Sequence, residues 1–295
     1  MPTLQLADRT VIQIGGAEAE HFLQNILTTD LDQLAPGEVK PGALLTPQGK
    51  ILFDFLISRD ANAGFRLDCR ADVAEDFKRR LMLYKLRAKV EISLPDQALV
   101  SVSWDDDSGS SQTDSTAAET DAGWLADRRF PADAGVRRRY GASGPDLPAD
   151  AWTRLRIAYG IAESGSDYAL SDAFPHDVLL DEPGGGVGFK KGCYVGQEVV
   201  SRMQHRGTAR RRVMIVKGAQ DLPDTGTDVR ANGRAIGSLG SVAGLDGIAI
   251  VRIDRVKDAL DAGHEITAGN VPVTLSIPGW AVYKLPEDKS GTEQE

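Results

Sequence analysis

The run Gly188 to Arg212, GFKKGCYVGQEVVSRMQHRGTARRR, constrains this chain more than any other stretch. Gly188, Gly192 and Gly196 fall within nine residues, beside one of only two cysteines and two adjacent lysines. The polar-then-apolar pattern Gln197, Glu198, Val199, Val200 then starts a short helix. A thiol at Cys193, near that helix N-terminus and beside Lys190 and Lys191, would sit in positive potential, which favours the thiolate. An isolated cysteine can equally be a small buried hydrophobe. Spacing alone leaves both readings open.

Composition narrows the setting. The 295 residues suffice for two or three domains, and 41% apolar with 26% charged residues is ordinary for a globular chain. A formal charge of −9 argues against general affinity for nucleic acid or anionic membrane. Cys69 and Cys193 are too few for a disulfide scaffold, and no CxxC or Cys/His cluster is present, so no intrinsic metal site is expected. Any metal cluster handled here needs ligands from a partner. No basic n-region with an apolar run opens the chain and no apolar stretch is long enough to span a bilayer, so a cytoplasmic protein is expected.

In chain order, Thr10 to Ile14 reads as a strand. Ala19, Phe22, Leu23, Ile26 and Leu27 then form one apolar helix face, followed by the polar turn Thr28-Thr29-Asp30, whose side chains should satisfy the helix end. Gly42 to Arg59 reads as two strands joined by the turn Pro47-Gln48-Gly49-Lys50. Alternation sets Leu52, Asp54 and Leu56 on one side and Ile51, Phe53, Phe55 and Ile57 on the other, which makes Asp54 a partly desolvated oddity. Cys69 lies in an alternating strand and should be packed. Asp72 and Glu75 resemble a capping box for a helix to about Leu86 with a basic, solvated face (Lys78, Arg79, Arg80, Lys85, Arg87, Lys89). The acidic run Asp105 to Asp121 reads as a flexible surface loop. Arg137-Arg138-Arg139-Tyr140 is a second basic cluster, Asp150 should cap a helix ending at Gly160, and His176 reads as a surface or loop histidine. Arg202, His205, Arg206, Arg210, Arg211 and Arg212 place six basic residues in eleven positions without an acid, a density suited to a polyanion. No aromatic-rich platform accompanies them, which argues against direct nucleic-acid binding. From Val213 onward, short strands and glycine joints read as a small β-barrel or half-barrel, with a polar tail from Lys284.

The signature Lys191-Gly192-Cys193-Tyr194-x-Gly196-Gln197-Glu198, with Ser201 and Arg202, resembles that of the YgfZ family of folate-binding proteins, relatives of the glycine-cleavage T-protein, an aminomethyltransferase. Echoes run from Leu4 to about Leu285. The resemblance implies a multidomain α+β fold: residues 1–207 as a folate-binding region in two lobes (about 1–45 with 145–207, and 46–144), 208–286 as the barrel and 287–295 as a tail. It implies tetrahydrofolate or a one-carbon derivative as ligand, with Asp54, Arg156, Asp177, Tyr194, Gln197 and Glu198 as contacts and Arg206, Arg210, Arg211 and Arg212 holding an anionic tail. Cys193 would be the essential thiol, and an iron–sulfur cluster shared with a partner would pass through it. Implied roles are support of iron–sulfur cluster assembly, through A-type carrier proteins, and of cluster-dependent tRNA thiomethylation, by a monomer. Two departures count against glycine-cleavage chemistry. Phe53 replaces the first of two adjacent aspartates, of which Asp54 matches the second, and Ala158 stands where the T-proteins carry a glutamate. A folate-dependent aminomethyl- or methyltransferase and a non-catalytic interaction scaffold are the alternative readings.

Overall fold

A computed structural model describes residues 2–60, 64–95, 98–105, 123–141 and 148–287. The expected acidic loop, apart from Asp105, and all but the first residue of the 287–295 tail lie outside the described residues. The N-terminal part runs β1 (Thr3–Gln5), β2 (Arg9–Gly15), α1 (Ala19–Gln24), β3 (Glu38–Leu45), β4 (Ile51–Arg59), β5 (Phe65–Arg70), α2 (Ala74–Lys85), β6 (Glu91–Ser93), β7 (Val100–Ser103), β8 (Leu125–Asp127) and β9 (Arg137–Tyr140). These nine strands form one sheet in the order β1-β7-β9-β8-β3-β4-β5-β2-β6, antiparallel except for the β3–β8 pair. Strands from both expected lobes thus share hydrogen bonds. Next come α3 (Ala149–Tyr159), the 3-10 turn Pro175–Val178 and α4 (Gln197–Arg206).

Strand alternation explains why this sheet has two unlike faces. Ile12, Ile14, Phe53, Phe55, Ile57 and Leu67 point into one apolar cluster covered by Phe22 and Leu23 of α1 and by Phe77 and Leu81 of α2. Phe53 stacks on Phe77 with ring centroids 4.8 Å apart. Cys69 joins this cluster with no exposure, and burial pushes its thiol up to about 12, as expected of a packed cysteine. A bulge at Leu44/Leu45 turns the hairpin end, so Ile51 leaves that cluster and packs instead with Ala173, Val178 and Tyr194.

The opposite face carries charge. Arg9 Nε donates to Asp68 Oδ1 at 2.7 Å, and Arg138 bridges Asp68 Oδ2 (2.6 Å) and Asp127 Oδ2 (2.9 Å). Arg129 joins Asp127 to Glu163 (2.8 Å each), and Arg156 joins Glu163 (3.3 Å) to Asp167 (2.9 Å). None of these eight side chains is more than 11% exposed. Burial would raise the Asp127 carboxyl, but Arg129 and Arg138 overcome it and hold it at about 2. The basic cluster at 137–139 is therefore no surface patch: Arg138 is fully buried, and Arg139 lies over the Trp124 ring.

The C-terminal part is a closed barrel in the order β10-β13-β12-β11-β14-β15, from β10 (Arg211–Gly218), β11 (Asp228–Ala231), β12 (Arg234–Ala243), β13 (Asp246–Arg252), β14 (Ile266–Ala268) and β15 (Val271–Ser276). A helix absent from the expected pattern, α5 (Ile253–Asp261), seats Ile253, Val256 and Ala259 on the barrel core. Two expected caps do not form. The first turn before α2 runs from Arg70, whose guanidinium engages Asp72, and no side chain caps α2. Pro148 occupies the cap position of α3, so Asp150 lies inside the first turn, paired with Arg154. Among the described residues no helix is long and apolar enough to cross a membrane.

Arg138→Met takes one of two arginines from each of the buried carboxylates Asp68 and Asp127, leaving Arg9 and Arg129 in place, and should cost about 3 kcal/mol, the low end for a broken buried pair. Urea denaturation at pH 7 checks this; a loss below about 1 kcal/mol would mean that water or neighbouring arginines compensate.

Candidate functional site

The signature loop sits on the N-terminal region at two places, and both depend on its sequence. Gly188 N–H donates to Thr28 O at 2.8 Å, and Lys191 Nζ donates to Leu27 O and Thr29 O at 2.7 Å each. Lys191 is 9% exposed, and burial lowers its ammonium to about 8 against the opposing pull of Asp30 and Asp32. Its charge is engaged by backbone carbonyls, a role that reading it only as a neighbour of the thiol did not foresee. Thr28, fully buried, donates to Gly186 O and accepts from Ala43 N. At the second place Gly196, with φ of +80°, abuts the β3–β4 turn: a Cβ there would lie 2.5 Å from Thr46 O. Only glycine meets both demands.

Between these anchors Tyr194 turns inward, with the Lys191 ammonium 5.4 Å from its ring centroid, while Cys193 is exposed. Of the two readings open from sequence, the buried hydrophobe is excluded for Cys193. Gly192 differs from its fellow glycines. Nothing lies within 4 Å of a Cβ placed there, and its φ is not in the left-handed range. Packing does not require that glycine. α4 follows, with Gln197 half-buried and Glu198, Arg202 and Arg206 exposed.

Asp54 lies on the polar sheet face and is half-buried. Ser164 Oγ donates to its Oδ1, and the Tyr168 hydroxyl is also bonded to it. Neither partner was singled out from sequence. Both belong to the segment that returns along β4, where Ile51 N donates to Ala173 O and Ser171 N to Ile51 O. Ser58 Oγ, two alternations further along this face of β4, and Arg138 Nη2 are buried without a partner.

The other expected contacts divide. Arg156 is 3% exposed and donates to Ile161 O, Asp167 and Ser241 Oγ at 2.9–3.0 Å, which ties α3 to the barrel. Asp177, 2% exposed, accepts from Phe174 N–H and lies 3.8 Å from Arg211. Of the expected surface or loop histidine, only the surface part is corrected: His176 lies in the 3-10 turn Pro175–Val178 but is fully buried, bonded through Nε2 to Gln204 Oε1 at 3.1 Å, and burial lowers its imidazole. The expected anion contacts are also dispersed. Arg212 is 7% exposed and donates to His176 O and Asp181 Oδ1, Arg211 pairs with Asp172, and Arg210 lies 3.6 Å from Asp254. β10 begins at Arg211, so the run enters the barrel wall.

A sheet with α1 and α2 on one face and α3 on the other, and a six-stranded barrel packed against α3, is the aminomethyltransferase fold class. The chain superposes on the glycine cleavage system aminomethyltransferase T from Bartonella henselae with a TM-score of 0.65 and 17% identity, over 93% of this chain and 84% of that one. Residues 210–283 match the family model "CAF17, C-terminal beta-barrel domain". The "Iron-sulfur cluster assembly factor IBA57 homolog, mitochondrial" of Chaetomium globosum is 32% identical over 243 residues, 71% of this chain; the match spans only about half of that relative, 54% of its length. The human "Iron-sulfur cluster assembly factor IBA57, mitochondrial" is 28% identical over 94% of this chain and 84% of its own. The chain belongs to the IBA57/CAF17 family, which is YgfZ-like.

Burial pushes the Asp177 carboxyl up to about 6, against the Phe174 N–H and Arg211. An unfolded aspartate titrates near 4, so this group should lower stability progressively as pH rises from about 4 to about 6, with no further change above. Asp177→Asn should therefore be more stable than the parent at pH 7.5, by on the order of 1–2 kcal/mol, and lose that advantage near pH 4. Thermal melts at both pH values check it; equal differences at the two would contradict a raised carboxyl.

Proposed function

We infer that this chain supports iron–sulfur cluster assembly or repair, with Cys193 as the thiol offered to a cluster held by a partner and a reduced folate bound on the Asp54 face. The observation that carries the first part is the pair Gly192-Cys193. An exposed thiol stands beside a glycine that packing does not require, on a loop held at Lys191 and Gly196. A bare glycine next to a thiol lets a partner's cluster approach closely. Among the described residues no three His, Cys, Asp or Glu side chains are grouped as metal ligands, so a cluster bound at Cys193 would draw its other ligands from the partner. The names of the relatives, which describe them as iron–sulfur cluster assembly factors, support the same reading. The partner would be a cluster carrier of the A-type.

The folate part rests on fit. A carboxylate takes about four hydrogen bonds and Asp54 holds two, so it retains capacity for pterin N–H donors. The partnerless Ser58 hydroxyl offers a further polar atom on the same strand face. A bound reduced folate supplies a one-carbon carrier nitrogen; Asp54 would orient the ring, and Ser164 with Tyr168 would hold the carboxylate's rotamer. Phe53, packed on Phe77 across the sheet, leaves Asp54 without an adjacent second acid. That favours a binding role over aminomethyl transfer.

In cells lacking the chain, Cys193→Ser and Gly192→Val should both fold yet restore less than a tenth of the activity of a [4Fe–4S] enzyme that the parent restores. Full rescue by both would remove the cluster role. Anaerobic calorimetry with tetrahydrofolate should show binding weakened at least tenfold by Asp54→Ala and unchanged by Cys193→Ala. No heat and no thermal shift at saturating folate would leave a thiol-bearing scaffold as the better account.

A further inference from the structure

α2 is apolar on two opposite sides, and the fold covers only one. Ala74, Phe77 and Leu81 form the buried stripe. Arg79, Met82 and Leu83 recur at i, i+3 and i+4, which the helical repeat centres on the side away from it, and Leu86 follows directly as the residue that closes the helix. Met82 is 47%, Leu83 69% and Leu86 88% exposed. Scattered exposed leucines are normal; three such residues at the end of one helix make a patch.

Charge frames that patch. From Lys78 to Lys89, KRRLMLYKLRAK contains six cations and no acid, in a chain whose formal charge is −9. The repeat sets Lys78 and Lys85 on one flank of the apolar stripe and Arg80 on the other, and Arg87 and Lys89 follow just beyond the helix end. Lys78 and Arg79 pair with Glu75 and Asp76 one turn back, while Arg80, Arg87 and Lys89 remain exposed. Leu86, the residue that closes the helix, has φ of +47° and ψ of −108°, a conformation that suits glycine. A leucine held in strain with most of its surface in water gains nothing from the core. Strain of this kind concentrates where a residue serves contact with something else.

We propose that the C-terminal half of α2 is a docking face for an acidic protein partner, with Met82, Leu83 and Leu86 as the apolar centre and Arg79, Arg80, Lys85, Arg87 and Lys89 pairing with carboxylates around it. The chemistry selects this occupant over two others. RNA is contacted through arginine with aromatic or polar groups, and leucine and methionine give it nothing to stack on. An anionic membrane is an extended surface that meets the whole flank of the molecule, and a net charge of −9 opposes that approach. A compact acidic partner meets only the patch, because charges beyond about 8 Å are screened at physiological salt. An apolar centre ringed by polar pairs is the usual anatomy of a protein interface.

The test uses the full chain and three probes: a fluorescein-labelled helical peptide of Glu and Leu with its leucines on one stripe, the same peptide with Lys for Glu, and phosphatidylglycerol vesicles. Anisotropy should show the acidic peptide binding, at least tenfold more weakly after Leu83→Ser with Leu86→Ser, or after Arg80→Glu with Arg87→Glu. Amide exchange should slow at residues 78–90 on binding, the Lys peptide should not bind, and the vesicles should not co-sediment. Leu86→Gly separates docking from folding: it relieves the strained φ, so the melting temperature should hold or rise while peptide affinity falls. Vesicle binding lost in the same variants would make the face a membrane contact and overturn the proposal. Acidic-peptide binding indifferent to every variant, or none at all, would overturn it too, leaving a solvated helix face.

Discussion

Four arginines and four carboxylates, buried between the sheet and what packs across it, set the geometry of the whole molecule. Arg9, Arg129, Arg138 and Arg156 meet Asp68, Asp127, Glu163 and Asp167 in a continuous chain of ion pairs. A buried charge costs several kcal/mol unless its partners are in place, so each member tolerates only one arrangement of the elements that carry it. The chain links β2, β5, β8, β9, α3 and the 163–167 loop. It reaches β12 of the barrel through Ser241, which donates its N–H to Asp167 and receives Arg156. Its value is therefore one of position more than net stability, since well-packed apolar residues could stabilise the same volume equally well.

Asp54 and the signature loop both inherit their places from this arrangement. The segment that supplies Glu163 and Asp167 to the ion pairs also supplies Ser164 and Tyr168 to Asp54. On the other side of the sheet, α1 leads into the turn Leu27–Asp30, whose carbonyls hold Lys191. Gly196 meets the hairpin turn at the end of β3 and β4, and Asp54 lies on β4. The thiol loop and the carboxylate face are thus joined through one hairpin, and rigid support at both ends lets Cys193 be exposed while its neighbours stay fixed.

Much of this was legible in the sequence, for identifiable reasons. Alternation in β4 separated Asp54 from Phe53 and Phe55, and the polar-then-apolar pattern after Gly196 announced the start of α4. The packed Cys69 followed from its strand. The misread charged residues share one cause: each was read by its neighbours in sequence, whereas burial is decided by partners far along the chain. Arg138 reaches Asp68 across 70 positions and Arg212 reaches Asp181 across 31, so neither looked like a core residue. His176 was misread similarly, because Gln204 lies 28 residues on. α5 was passed over although Ile253, Val256 and Ala259 carry a helical period, since the glycine joints around it favoured strands.

The central claim is that the polar sheet face around Asp54 receives a reduced folate while Cys193 stays outside, free for a partner. The most direct measurement is a crystal structure of the chain grown anaerobically with 5-formyl-tetrahydrofolate. The account predicts a pterin ring within hydrogen-bond distance of the Asp54 carboxylate, with Ser164 and Tyr168 still bonded to it and the Cys193 thiol uncovered. A pterin bound elsewhere, or one covering Cys193 and leaving Asp54 untouched, would contradict it.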